Sequence, residues 1–200
     1  MYIWITIFAG VLIWSGINPK DQFIWLLEVA PALIGAGILA ATYKTFRLTE
    51  LLYILILIHC VILMIGGHYT YAEVPLFESL KETMGFERNN YDKVGHFMQG
   101  FVPAMVVREI IIRKKIINGS AWQFFFIISF CLGASAFYEL IEWWVALASD
   151  EAADAFLGTQ GYVWDTQSDM GMALLGAITA LILLKRKHDL QLHQLVQRLR

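Results

Sequence analysis

Six long apolar runs, separated by short polar connections, follow one another along the chain. They cover residues 2–17, 23–43, 48–67, 94–112, 121–148 and 166–184. A helix needs roughly 20 residues to cross a hydrocarbon core of about 30 Å, and short connections place consecutive helices antiparallel. The pattern therefore predicts an all-α fold, a polytopic membrane protein formed by a bundle of six transmembrane helices.

Two of the polar connections have the pattern of short helices on the outer side of the membrane. Segment 75–86 begins with Pro75, carries apolar and charged residues on opposite faces and ends near Gly85, which is typical of an amphipathic interfacial helix. Segment 149–158 begins with Ser149, continues with acidic residues and closes with a glycine. We expect it to form a second short helix.

Composition supports a membrane location and excludes other classes of protein. Hydrophobic residues make up 58% of the chain and the mean hydropathy is +0.58, which lies outside the range of soluble domains. The net charge is -2 and no basic patch occurs outside the short connections and the tail, so we expect no nucleic-acid partner. Cys60 and Cys131 lie inside apolar runs and are predicted to be small core residues. No repeat or linker divides residues 1–200, which predicts a single integral membrane domain.

The basic residues are distributed unequally between the two sides of the predicted bundle. Eleven of the 15 Lys and Arg residues lie in connection 44–47, in segment 108–115 or in the tail from Lys185. The other four, on the opposite side, are Lys20, Lys81, Arg88 and Lys93. Under the positive-inside rule both termini are then cytoplasmic. No positively charged segment precedes the first run, so we expect that run to be a retained helix rather than a cleaved signal.

Polar side chains interrupt the apolar runs near the outer ends of several predicted helices. On the fourth run, Asp92, His96 and Gln99 follow the spacing that places residues on one helix face, and Asp165 and Asp169 repeat this spacing on the sixth. All of these ends lie on the same side of the membrane, so we expect the side chains to converge. The members of this outer polar cluster are His68, Asp92, Lys93, His96, Glu139, Glu142, Asp165 and Asp169.

The sixth run is too short to cross the membrane without its polar start. Residues 170–184 span about 22 Å at 1.5 Å per residue, which is less than a hydrocarbon core of about 30 Å. Residues 165–169 are therefore expected to lie within or against the outer leaflet. Ionisable groups at that depth are candidates for a functional site.

Carboxylates and imidazoles together suit a divalent metal ion such as Zn, Mn or Fe. The predicted metal ligands are His96, Glu139, Asp169, Asp92 and His68. Glu142, Asp165 and Lys93 are the predicted catalytic residues, because a carboxylate can act as a base on metal-bound water and a lysine offsets excess negative charge. A substrate reaching this layer is expected to be a lipid or a cell-envelope precursor.

Other functions remain open from the residues alone. The cluster could be a polar network that only stabilises the bundle, a set of proton relays in a proton-coupled transporter, or part of a structural subunit that binds a partner. Apolar cytoplasmic halves of the last three runs favour a one-sided site over a transporter. Glu28 could join the cluster, and His59 is expected to be a hydrogen-bonded core histidine. His188 and His193 in the tail are expected to be inert, and the oligomeric state is undetermined.

Several longer motifs carry a resemblance to known families. They are GGHYTY at 66–71, YDKVGHFMQGFVP at 91–103, ELIEW at 139–143, FLGTQG at 156–161 and WDTQSDM at 164–170. With these motifs the chain resembles the YjdF family of bacterial inner-membrane proteins over nearly its whole length, which implies a bacterial inner membrane. More distantly, Asp92, Lys93, His96 and Asp169 resemble positions of the VanZ-like proteins linked to glycopeptide resistance. Those proteins usually carry Asn after the last Asp, and this chain does not.

Overall fold

A computed structural model describes residues 2–148 and 159–198, and over these residues the chain is helical with no β-strand. The described helices are α1 (Tyr2–Gly16), α2 (Gln22–Thr42), α3 (Glu50–Tyr69), α4 (Pro75–Met84), α5 (Tyr91–Lys114), α6 (Ser120–Ala148) and α7 (Asp165–Arg198). Each of the six apolar runs forms one helix, and the all-α polytopic prediction is confirmed at that level. The short helix expected at 149–158 lies outside the described residues.

Four of the described helices are long and apolar enough to cross a membrane, namely α2, α3, α6 and α7. Helix α1 is apolar but has only 15 residues. Helix α5 has 24 residues, and its apolar character is diluted by buried polar residues at both ends, including Asp92, His96, Arg108 and Glu109. Length and composition thus identify a polytopic helical membrane protein. By these criteria, four of the described helices, rather than six, are candidate membrane spans.

Helix α4 has the amphipathic form that its sequence predicts. Pro75 lies at its first turn, where a missing N–H group is not needed. Gly85 ends the helix with φ +69°, a left-handed conformation that glycine adopts without strain. Leu76 and Met84 are exposed, while the Phe77 ring contacts the Tyr91 ring edge-on with 5.2 Å between centroids. Helix α4 is therefore tied to the start of α5 and presents apolar side chains outward.

Among the described helices, α5 and α7 pack most closely, and they run parallel. A Cβ atom at Gly100 would overlap the backbone carbonyl of Ala173, and one at Gly176 would overlap the carbonyl of Phe97. Small residues let two backbones approach in this way, as is common in membrane helix pairs. The close parallel packing aligns the N-terminal turns of α5 and α7, which carry most of the outer polar cluster.

An apolar core lies further along the same helices. It is formed by α3, α5, α6 and α7 and includes the fully buried residues Leu52, Met105, Cys131, Ala177 and Ala180. Cys131 and Cys60 are both buried and free, so the prediction that they are core residues is confirmed. This core separates the N-terminal turns of α5 and α7 from their C-terminal turns.

Candidate functional site

A layer of buried ion pairs joins the first turns of α5 and α7. The Lys93 ammonium donates to Asp165 Oδ1 and to Asp169 Oδ1, each at 2.7 Å. Arg88 donates to Asp92 and to Asp165. The Asp92, Asp165 and Asp169 residues are each less than 10% exposed. Charged groups at this depth are costly unless they are paired, so the two cations fix the relative position of the two helices.

The loops that precede α5 and α7 are held to each other by hydrogen bonds between a side chain of one loop and the main chain of the other. The Gln160 side-chain amide donates to the Asn89 carbonyl at 2.9 Å and accepts from the Asn89 N–H at 3.0 Å. Asn89 is fully buried, and its own Oδ1 accepts from the Tyr91 N–H at the start of α5. These bonds bring Arg88, one residue before Asn89, against Asp165 at the start of α7.

A second group of side chains lies one turn deeper and consists of His96, Glu139 and Asp169. The His96 Nδ1 is 3.8 Å from Glu139 Oε1, and His96 Nε2 is 3.8 Å from Asp169 Oδ1. One donor atom from each of the three residues lies within 4.8 Å of the other two. Gln99 Oε1 lies 3.0 Å from His96 Nδ1. If Nδ1 donates this bond, the Nε2 lone pair is directed toward Asp169.

A cavity of about 90 Å³ lies beside this group. Its wall includes Glu28 from α2, His59 from α3, His96 from α5, Tyr138 and Glu142 from α6, and Asp169 from α7. The volume is sufficient for several water molecules, since each occupies about 30 Å³ in the liquid. Five helices therefore contribute to one small polar chamber inside the bundle.

Several buried polar atoms around the chamber have no hydrogen-bond partner among the described residues. They are Glu139 Oε1, Asp92 Oδ1, Ser135 Oγ and His59 Nε2. A buried polar group without a partner costs about 1 to 3 kcal/mol, so such groups usually mark bound water, an ion or a functional role. The expectation that His59 is a hydrogen-bonded core residue is wrong for its Nε2 atom, because the cavity leaves that atom without a protein partner.

Negative charge exceeds positive charge in this part of the bundle. The buried acids of the described residues here are Glu28, Asp92, Glu139, Glu142, Asp165 and Asp169. Arg88 and Lys93 are the cations that contact them. Buried carboxylates repel one another strongly in a medium of low dielectric constant. The site therefore requires further positive charge, either as protons or as a bound cation.

The motif GGHYTY positions another wall of the chamber. Gly66 and Gly95 both face the Tyr71 ring, and a Cβ atom at Gly66 would overlap it. Tyr71 and Thr70 have positive φ values of 55° and 57°, so the chain turns back after α3 and inserts the ring between the two glycines. Both residues line the chamber.

The structure brings together most, but not all, of the predicted site residues. His96, Glu139 and Asp169 form one group with metal-binding spacing, and Asp92, Asp165 and Asp169 form another. Lys93 lies between the carboxylates, and Glu142 lines the chamber. His68, the remaining predicted ligand, belongs to neither group. Its Nδ1 contacts the Ser15 carbonyl at 2.9 Å and its ring packs on Trp14.

Two participants were missed from the sequence. In the sequence, Arg88 contributes only to the charge distribution that predicts topology, although it lies four residues before Asp92, a spacing at which opposite charges pair on a helix. Tyr138 precedes Glu139 in an apolar run and gives no polar pattern, yet its hydroxyl donates to Glu28 at 3.3 Å. Only the packing of α2 near α6 reveals that contact.

A separate buried network lies at the C-terminal turns of α5 and α7. The fully buried Glu109 carboxylate accepts from the Thr49 hydroxyl at 2.8 Å, from Arg113 at 2.7 Å and from His188 Nε2 at 3.0 Å. Arg108 contacts His188 Nδ1 at 2.8 Å. The expectation that His188 is an inert tail residue is therefore wrong: α7 continues to Arg198 and packs this part of its length against α5. The same network corrects the prediction of an almost purely apolar cytoplasmic half.

Comparison with known proteins places the chain in a family. Residues 1–190 match the family described as "Predicted membrane protein (DUF2238)". The chain is 52% identical over 184 residues to "Inner membrane protein YjdF" of Escherichia coli strain K12, which covers 92% of this chain and 88% of that protein. No solved structure matches the chain. The resemblance to the YjdF family is thereby confirmed, while the more distant resemblance to VanZ-like proteins stays a prediction.

Proposed function

This chain belongs to the family described as predicted membrane protein (DUF2238), and on that premise we propose an inner-membrane protein that binds a divalent metal in its outer polar cluster. With this metal, the protein hydrolyses or binds a lipid or a cell-envelope precursor. Helices α1 and α5 complete a bundle of six transmembrane helices together with α2, α3, α6 and α7. Both termini are cytoplasmic, and the chamber faces the periplasmic side.

The observation that carries the proposal is the Glu139 carboxylate. It is buried, its Oε1 has no hydrogen-bond partner among the described residues, and that atom lies 3.8 Å from the His96 ring. The carboxylate has a side-chain hydrogen bond with Thr166, but a buried polar atom without a partner of its own, such as Oε1, is unfavourable. A cation bound between Glu139, His96 and Asp169 removes this cost, because it gives each donor atom a ligand bond.

The donor set fits a small divalent ion with an open coordination position. Carboxylate and imidazole are both donors found at catalytic zinc sites, which combine three protein ligands with one open position, and the same donors suit Mn and Fe. Ligand atoms on a tetrahedral ion with bonds of about 2.1 Å are about 3.4 Å apart. The three donors, within 4.8 Å of one another, reach this spacing by small side-chain rotations.

The neighbouring residues have distinct roles under this proposal. Lys93 holds Asp169 and Asp165 through bonds of 2.7 Å and so orients the ligand Asp169. Gln99 contacts His96 Nδ1, which leaves Nε2 for the metal, as partners of metal-bound histidines commonly do. Glu142 faces the chamber, where it would be placed to accept a proton, and a bound divalent ion would supply Lewis-acid activation of water. Asp92, bound by Arg88, and His68, outside both groups, are not ligands in this arrangement.

A proton-coupled transporter is less well supported. Its proton path would have to connect the chamber with the network around Glu109 and His188. The apolar core lies between them, with Val102, Met105 and Ala177 all nearly inaccessible. A polar network with a purely structural role is the other alternative, and it makes a different prediction for chelation.

The test is the response of the purified protein to metal removal. If a metal is bound, part of the folding free energy is metal-binding free energy, so a chelator should lower the Tm and one particular ion should restore it. His96→Ala should abolish this response. His193→Ala, at an exposed position of α7, is the matched control and should respond as the wild type does. Elemental analysis should find the ion in the wild type.

A polar network without a metal predicts no response to a chelator. A melting curve that a chelator does not change, together with no metal in the untreated protein, would support a structural network instead. In that case His96→Ala would act only through lost hydrogen bonds, at a cost of about 1 to 3 kcal/mol.

A further inference from the structure

A second cavity, of about 70 Å³, lies at the other end of the bundle from the chamber. It is enclosed by the C-terminal part of α5, the first turns of α6 and the part of α7 around Lys185. Its polar wall consists of Arg108, Lys185, Ser120 and Gln123, and no acidic residue lines it. In contrast to the chamber, this basic cavity attracts an anion.

Arg108 is the buried cation of the basic cavity, with an exposed fraction of 6%. One of its terminal nitrogens contacts His188 Nδ1 at 2.8 Å, and the other donates to Asp189 at 2.5 Å. A guanidinium group has five N–H donors, so the other three make no hydrogen bond among the described residues. These two contacts hold the planar group in place, and its free donors suit the oxygens of a phosphate.

Lys185 supplies a positive charge that no acid of the described residues neutralises. The nearby acids are already paired, Asp189 with Arg108 and Glu109 with Arg113. Lys185 makes neither an ion pair nor a hydrogen bond within the described part of the chain, although it lines the cavity. The basic cavity therefore keeps a net positive charge.

The first turn of α6 adds hydrogen-bond donors to the same wall. The Gln123 N–H donates to the Gly119 carbonyl at 3.0 Å, whereas the N–H groups before it have no partner within the helix. The Gln123 side chain donates to the Ile117 carbonyl at 3.0 Å and so fixes the loop that leads into α6. A helix N-terminus favours a negative charge, and here it supplements the two cations.

The basic cavity lies at the level where apolar surface gives way to polar residues. The apolar run of α6 begins directly after Ser120, and that of α7 ends directly before Lys185. Lipid phosphates lie at this boundary of the hydrocarbon core. Phe124 lines the cavity and is also 45% exposed, so it continues the wall outward as an apolar surface. An anion that carries an acyl chain fits both surfaces.

We propose that the basic cavity binds the phosphate of an anionic phospholipid, whose acyl chain lies against Phe124. Arg108 and Lys185 donate to the phosphate oxygens. In the proposed orientation the lipid belongs to the cytoplasmic leaflet, where basic pockets between transmembrane helices bind anionic head groups. The metal of the proposed function has no part in this site, which lies at the other end of the bundle.

The experiment is native mass spectrometry of the full-length protein in detergent, titrated with phosphatidylglycerol. We expect one molecule to bind more tightly than those that follow. Phosphatidylethanolamine has the same phosphate, but Lys185 repels its ammonium group, so it should bind several-fold more weakly. Diacylglycerol lacks the phosphate and should bind more weakly still.

Two charge reversals on α7 provide a matched comparison. Lys185 and Lys187 are both exposed, and only Lys185 lines the basic cavity. Lys185→Glu and Lys187→Glu change the net charge equally, so a general attraction of anionic lipid is the same in both. We expect Lys185→Glu to weaken binding of the first phosphatidylglycerol several-fold and Lys187→Glu to leave it unchanged. Equal affinities of the two variants, or no preference for phosphatidylglycerol over phosphatidylethanolamine, would overturn the proposal.

Two further measurements identify the source of the phosphate and separate this proposal from the proposed function. Millimolar inorganic phosphate should not displace the lipid, because the acyl chain contributes to binding; displacement would overturn a phospholipid as the occupant. Binding that depends on Lys185, in a protein that contains no metal, would support the lipid site and refute the metal site. Bound metal with lipid binding that ignores Lys185→Glu would refute the lipid site alone.

Discussion

Replacing Gly100 with alanine is expected to separate α5 from α7 and to disturb the ion pairs above this contact. The added Cβ atom would overlap the backbone carbonyl of Ala173, and backbone cannot move aside as a flexible side chain can. Carbon and oxygen atoms approach to about 3.3 Å, so the helices must move apart by an ångström or more. That displacement is enough to lengthen the 2.7 Å bond between Lys93 and Asp169 beyond hydrogen-bond range.

The expected loss of folding free energy depends on what the added Cβ atom meets, which here is the backbone of Ala173. Overpacking of a well-packed interior costs about 1 to 3 kcal/mol, and a backbone obstacle places Gly100→Ala at the upper end. Gly37→Ala is the matched control. Its Cβ atom meets no heavy atom within 4 Å, and alanine is favoured over glycine in a helix by up to about 1 kcal/mol. It should leave stability unchanged or raise it.

The assay is thermal unfolding of the purified variants in one detergent, combined with a double-mutant cycle. Gly176→Ala should destabilise by the same mechanism, through the Phe97 carbonyl. One outward movement of α7 relieves both clashes, so the double variant should lose less stability than the two single variants lose together. Wild-type stability of Gly100→Ala would refute the close helix contact. Strictly additive losses would refute the common movement.

Two further predictions concern the opposite end of the bundle and the topology. His188→Ala leaves the buried Glu109 without one of its charge-stabilising partners and should lower the free energy of unfolding by about 1 to 3 kcal/mol or more. His193→Ala, at an exposed position, should not change this free energy in the same unfolding assay. Equal stability of the two variants would contradict the buried network around Glu109. Periplasmic reporter fusions should be active after Gly85 and inactive after Arg200, and an active C-terminal periplasmic reporter would overturn the proposed orientation.

Periodicity and the helix-end signals determined much of this protein without reference to its fold. The six apolar runs marked six helices because burial in lipid requires a continuous apolar surface. Pro75 and Gly85 marked the ends of α4, since each acts through its own backbone conformation. The stripe of Asp92 and His96 marked a helix face, because side-chain direction along a helix depends only on spacing.

The tertiary structure decided which polar residues become partners. Arg88 meets Asp165 only because the loops before α5 and α7 are hydrogen-bonded to each other, and Tyr138 meets Glu28 only where α6 approaches α2. No local pattern encodes either contact, because each joins residues from separate helices.

The same distinction explains the two errors about histidines. His59 and His188 have sequence surroundings that indicate a core position and a solvated tail, yet one faces a polar chamber and the other is fully buried against Glu109. Sequence alone determined which residues can be buried, through hydropathy and helical spacing. Only the packing of helices far apart in the chain decided what each buried polar group contacts, because that depends on how closely backbones such as those at Gly100 and Ala173 approach.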